Sequence, residues 1–306
     1  MVVLVTDMDI LVTGATGFVG RRLVPALVAA GHDVSVLVRD LERYDPPPEV
    51  TVFEGDVLKP GSFEAALSEI DIAYYLIHSM EAGAGFQARD KQAAENFAGA
   101  AGKAGVERVV YLSGLGVDGD NLSAHLRSRR DVEHTLATGE YALTVLRAAV
   151  IIGDGSVSFR IIRQLASRLP VMITPRWINT RSQPIAISDT IAYLVGVIDV
   201  PETAGETYEI GGPDVLQYRD ILIETSRALS GRKPIIIPVP VLTPRLSAYW
   251  VDIVTDVPAE VAYPLIDGMA SEVVVTDDRI RELIPIELTS FKTAVRRAIE
   301  AMREGK

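Results

Sequence analysis

Short apolar runs alternate with amphipathic stretches over the first half of the chain, a rhythm that predicts strands alternating with helices. Strands are expected at residues 10–13, 34–38, 50–53, 72–77, 108–112 and 142–146, and helices at about 17–30, 60–68, 85–103 and 123–137. The run Val34, Ser35, Val36, Leu37, Val38 shows little polar alternation, as in a strand covered on both faces. Strand–helix–strand units of this length close as right-handed crossovers. The expected fold class is therefore α/β, a doubly wound parallel sheet.

The rhythm changes after Gly153. Helices are expected at 158–169, 189–198, 218–230 and 290–304, and short strands at 185–187, 207–210, 235–237 and 273–276. Residues 171–181 contain proline and arginine and read as a loop, and the wider stretch 170–184, with Arg176, Trp177 and Arg181, reads as substrate-facing, its arginines meeting an anionic substrate or pairing with surface acids. Residues 239–254, with Tyr249 and Trp250, are apolar enough for core packing, a hydrophobic lid or a homodimer patch. Residues 1–7 precede a second methionine, Met8, and read as a loose tail.

The junction of the first strand and helix reads TGATGFVG, residues 13–20. Strand, glycine turn and helix in that order bring backbone N–H groups and the positive end of a helix dipole to one point, which suits a pyrophosphate. Gly14 permits the tight turn, Gly17 lets a phosphate approach the backbone, and Gly20 lets the helix pack on the strand. Arg39 ends the second strand, 19 residues after Gly20. An acid there would bind the ribose diol of NAD, whereas arginine suits a 2′-phosphate. Asp40 beside it keeps NAD open, and Arg21 and Arg22 add charge favouring NADP.

TGATGFVG resembles the TGxxGxxG motif of the short-chain dehydrogenase/reductase superfamily, in its extended and atypical branches. The resemblance covers nearly the whole chain. It implies a Rossmann domain over residues 8–152, rejoined at about 185–212, and a smaller substrate-binding part from about 153–184 and 213–306. It also implies a nicotinamide dinucleotide, held at Thr13, Gly14, Thr16, Gly17, Phe18, Val19 and Gly20. Further cofactor positions it implies are Arg39, Asp56 and Val57 after the third strand, Leu76, Ile77 and His78 (with Ser79) after the fourth, and Arg147 in LRAAVIIG. That last stretch is similar to the family's LRPxxxxG, with Ala148 in place of proline.

Ser113 matches the family's catalytic serine. On the family pattern YxxSKxxxE, however, residues 125–133 read HLRSRRDVE, with His125 in place of tyrosine and Arg129 in place of lysine. A histidine can relay a proton near neutral pH, and Arg129 four residues on, on the same helix face, can hold ribose hydroxyls. The alternative is a site in which this helix only packs. His78 is likewise a structural histidine or a contact to cofactor or substrate.

Composition narrows the partners. The net charge of −11 argues against a nucleic-acid surface, and the absence of cysteine excludes disulfides and thiolate chemistry. The four histidines lack metal-ligand spacing, so no metal is expected. Six lysines against 24 arginines and 41 acids suit either solvation in high salt or a GC-rich genome. No apolar run reaches the ~18 residues of a spanning helix, so no stable membrane insertion is expected, and a cytoplasmic protein is. The leading expectation is an NAD(P)-dependent oxidoreductase, NADP favoured, acting on a small carbonyl, enone or quinone-like substrate. The alternatives are a nucleotide-sugar epimerase or dehydratase, and a non-catalytic NAD(P)-binding sensor or assembly factor.

Overall fold

The computed structural model describes residues 7–78, 85–116, 123–239, 254–269 and 271–304. In chain order the first half carries β1 (Asp9–Thr13), α1 (Gly20–Ala29), β2 (Asp33–Val38), β3 (Thr51–Glu54), β4 (Ile72–Tyr75), α2 (Phe86–Ala104), β5 (Arg108–Gly114), α3 (Ala124–Leu136) and β6 (Ala142–Ala148). Next come β7 (Ile151–Ile152), α4 (Val157–Arg168), β8 (Val171–Pro175), β9 (Arg181–Ser182), β10 (Ile185–Ala186), α5 (Ile187–Asp199) and β11 (Thr207–Ile210). The last elements are β12 (Leu216–Gln217), α6 (Tyr218–Ser230), β13 (Ile235–Val239), α7 (Ala259–Gly268), α8 (Ile280–Leu283) and α9 (Phe291–Glu304).

The main sheet has seven parallel strands in the order β11-β6-β5-β4-β1-β2-β3. This is the expected doubly wound sheet. Its strand order reverses between β1 and β4, the crevice where open α/β sheets bind ligands. One face is covered by α1 and α5, with Leu23, Val24 and Leu27 meeting Tyr193, Leu194 and Val197 over β1 and β2. The other is covered by α2 and α3, through Ala94, Phe97, Ala101, Val132 and Leu136. Burial of both faces explains the unbroken apolar runs. A third cluster, around Phe159, Ile162, Met172, Ile221, Phe291 and Val295, packs α4, α6 and α9 together.

Three local expectations are corrected. The helix expected at 60–68 is a single 3₁₀ turn, Glu64–Leu67. Gly61 has φ +89°, and the Glu64 carboxylate accepts from the Gly61 and Phe63 N–H groups, spending these donors on a turn. The loop expected at 171–181 contains β8, which pairs in parallel with β13, a partner 64 residues away that local pattern cannot reveal. The strand expected at 273–276 reduces to one bridge, Ser182 with Val273. Beyond it the Gln183 and Glu209 side chains take the N–H groups of Val275, Thr276 and Asp277. The tail at residues 1–6 and most of the apolar stretch 239–254 lie outside the described residues.

Candidate active site

Thr13 closes β1 fully buried. Its Oγ1 donates to the Tyr74 carbonyl at 2.9 Å and accepts from the Leu76 N–H at 3.3 Å, stitching β1 to β4 where the crevice opens. Gly14 follows at φ +70°, and a Cβ there would lie 2.8 Å from the Leu76 carbonyl oxygen. The close approach of the two strand ends therefore requires glycine. A Cβ on Gly20 would lie 2.3 Å from the Gly14 oxygen and 2.7 Å from the Ala15 Cα, so Gly20 sets the helix–strand distance. Between them Gly17 is exposed, and no side chain caps the N-terminus of α1 and no acid sits in its first turn. Those N–H groups and the dipole are left for an anion.

One cavity of about 310 Å³ joins this turn to the ends of β4, β5 and β6 and to α3, α4 and α7. Gly14, Gly17, Phe18, Val19, Gly20, Leu76, His78, Ser113, His125 and Arg129 all line it, so segments up to 115 residues apart in sequence meet at one place. Thr13, Thr16, Arg39, Asp56, Val57, Ile77 and Arg147 do not line it. Thr16 and Arg39 are exposed. Asp56 is half-buried and accepts from the Leu58 N–H, Val57 is buried with its carbonyl accepting from Asn96, and Ile77 packs on the α2–α3 side of the sheet.

Arg147 is directed elsewhere. Its guanidinium meets Glu133, with Nη2–Oε1 at 2.5 Å and Nε–Oε2 at 3.3 Å. Glu133 also accepts from Arg130 at 3.0 Å, and Arg130 in turn donates to the Gly114 and Gly116 carbonyls at 3.3 and 2.9 Å. This buried network anchors the end of β5 beside Ser113. Arg21 and Arg22 likewise serve a structural end, both donating to the Asp154 carbonyl, at 2.9 and 2.7 Å, and tying the loop after β7 to the glycine turn. Neither network was legible in the sequence, where Glu133 looks like any surface acid on α3.

Ser113 is buried and its Oγ has no hydrogen-bond partner. A buried hydroxyl in a cavity wall normally has one, so a ligand atom is its natural complement. The uncapped glycine turn and this orphan hydroxyl together fit a dinucleotide with a polar substrate group beside it. Arg129 is the only permanently charged residue among the described lining residues. The wall from α4 and α7 is apolar, formed by Val157, Ile161, Ile162, Leu265, Ile266 and Met269. No sequence signal separated those residues from ordinary core.

His125 is half-buried, and burial, reinforced by the Arg129 and His78 charges, pushes its pKa down to about 3. His78 is more exposed, yet the enclosing protein and Arg129 shift it in the same direction. His125 is thus neutral in the fold at pH 7. An unfolded histidine titrates near 6.5, so the unfolded chain takes up the proton first as pH falls. The stability contributed by the neutral form is complete above about 6.5 and is lost progressively towards pH 3. Melting temperatures at pH 7.5 and 5.0 are expected to differ, and His125→Asn is expected to narrow that difference. An equal loss in the variant would place the acid sensitivity elsewhere.

Residues 14–165 match the family model described as NAD(P)H-binding. The chain is 29% identical over 194 residues to the ceramide reductase of Caulobacter vibrioides, covering 62% of this chain and 61% of that protein. It is 27% identical over 223 residues to the mitochondrial NADH dehydrogenase [ubiquinone] 1 alpha subcomplex subunit 9 of Arabidopsis thaliana, covering 69% of this chain and 55% of that one. The matches thus span about three-fifths of these relatives' lengths. Among solved structures, a nucleoside-diphosphate-sugar epimerase from Staphylococcus aureus superposes with a TM-score of 0.77 at 19% identity, over 94% of this chain and 100% of the other. Among the described residues no helix is long and apolar enough to cross a membrane. With the glycine turn, the strand order and the family model in agreement, the chain carries an NAD(P)H-binding domain of that family, built on a Rossmann sheet whose fold it shares with the epimerase.

Proposed function

We propose that this protein is an NADP-dependent reductase of an uncharged, lipophilic carbonyl compound, whether ketone, enone or quinone-like. The observation that carries this reading is the single cavity in which the glycine turn, Ser113, His125 and Arg129 meet an apolar wall. A nucleotide-sugar would bring a diphosphate to the substrate side. Beyond Arg129 no cation among the described lining residues would receive it, and unpaired anions are costly to bury. The ceramide reductase acts, by its name, on a lipid, which agrees with the same wall.

When bound, the dinucleotide supplies a hydride to the carbonyl carbon. Ser113 donates a hydrogen bond to the carbonyl oxygen, and Arg129 provides fixed positive charge as that oxygen becomes an alkoxide. His125, neutral at working pH, serves as a hydrogen-bonded relay for a proton drawn from water, so turnover should lack an ionisation near pH 6.5. Arg39 supports NADP over NAD. It is exposed at the end of β2, whereas the neighbouring Asp40 is occupied, accepting from the Glu42 N–H and pairing with Arg43 at 3.0 Å.

Incubation with NADPH or NADH and a series of alkyl ketones, quinones and a UDP-sugar tests the reading. Turnover is expected to prefer NADPH and to rise with alkyl length, and Arg39→Ala to reduce the NADPH preference about tenfold, the scale of one lost phosphate contact. Cofactor binding without turnover of any compound would favour the sensor or assembly reading, and turnover confined to the UDP-sugar the epimerase.

A further inference from the structure

In the parallel pair β8–β13, Ile235 stands opposite Val171 and Ile237 opposite Ile173. Met172 and Ile236 turn inward to the third core cluster. Val171, Ile173, Ile235 and Ile237 turn outward, with 46%, 56%, 61% and 46% of their surface exposed. A sheet with one wet face ordinarily alternates apolar and polar residues. Here both faces are aliphatic, and the outer one carries two adjacent cross-strand pairs that nothing covers among the described residues.

Against a net charge of −11, residues 155–188 contain five arginines and no aspartate or glutamate, and of these Arg181 is paired with Glu272. Because the strands run parallel, both begin at one edge of the ladder. Arg168 closes α4 there and pairs with Asp256, while Arg232 and Lys233, both exposed, lead into β13. Arg232 and Lys233 therefore give this edge its available positive charge.

We infer that the β8–β13 face is a docking surface for a bilayer bearing anionic headgroups. The four aliphatic side chains enter the interface while Arg232 and Lys233 lie over the headgroups. A second copy of the chain suits the patch poorly, because two-fold pairing would set Arg232 and Lys233 beside their own equivalents. Helix α4 lines the cavity with Val157, Ile161 and Ile162 in its first half, and its other end leads into β8. The inference stands on the surface itself and does not require the proposed reductase activity.

Sedimentation of the 306-residue chain with vesicles of phosphatidylcholine, alone or mixed with phosphatidylglycerol, tests it at about 0.1 M salt. The bound fraction is expected to increase with anionic lipid. Ile173→Asn with Ile237→Asn is expected to lower partitioning by about tenfold or more. Arg232→Glu with Lys233→Glu is expected to abolish the preference for anionic vesicles. Both variants alter exposed side chains and should melt with the wild type. Absence of sedimentation with either vesicle overturns the inference. So does a concentration-dependent dimer dispersed by the isoleucine substitutions, which would make the patch a contact between copies.

Discussion

Glu133→Ala is expected to destabilise the fold by about 3–5 kcal/mol, the scale found when one member of a buried ion network is removed. The Glu133 side chain is 9% exposed, and its carboxylate is shared by Arg130 and Arg147, whose side chains are 6% and 17% exposed. Desolvation of both guanidinium groups persists when the carboxylate is removed, while the attraction that offsets it is gone. For a chain of this size that loss corresponds to a fall of roughly 5–8 °C in melting temperature. The effect should also reach the site. Arg130 holds the Gly114 and Gly116 carbonyls, so loosening it frees the end of β5 that carries Ser113, and cofactor affinity should fall with stability. Glu133→Gln preserves shape and part of the hydrogen bonding, and is expected to recover about half of the loss. A loss under 1 kcal/mol for the alanine variant would show that the network orients β5 without stabilising the fold.

This network also marks where reading the sequence stops. TGATGFVG, the apolar strands and the position of Ser113 are local or periodic features, and the structure brings the glycine turn, Ser113, His125 and Arg129 to one cavity as such features suggest. What local pattern could not convey was which arginines were already engaged. Arg21 and Arg22 read as charge favouring NADP and Arg147 as a cofactor position in LRAAVIIG, but each meets its partner through contacts across 14 to 133 residues. The same holds for β8, a strand only by virtue of β13, and for the apolar wall from α4 and α7, whose periodicity is that of any buried helix. The glycines were readable because backbone geometry restricts the residue itself; the salt-bridge partners were not, because any acid or arginine would read alike in isolation.

Arg129→Met is expected to lower kcat about 10²–10³-fold with cofactor affinity changed little, the loss typical of removing one group that stabilises developing oxyanion charge. The residue is suited to such a split. It is the only fixed charge among the described lining residues, and it stands one helical turn from His125, whereas the dinucleotide's phosphates are read onto the glycine turn, a separate segment of the wall. A uniform loss of binding would raise KM and leave kcat unchanged, so the two parameters distinguish a transition-state role from a ground-state one. The Tyr111 hydroxyl donates to the Arg129 main-chain carbonyl at 3.4 Å, a bond the methionine variant retains, while the variant loses the guanidinium's own contact with that hydroxyl. Arg129→Lys, which keeps the charge but not the planar fork, should restore part of the rate. The pH profile adds an independent signature. Arg129 is among the causes that depress both His125 and His78, so removing its charge raises both pKa values and should draw an acid limb into the profile from below. A variant with unchanged kcat and an unchanged profile would remove Arg129 from the chemistry and leave His125 on a helix that only packs.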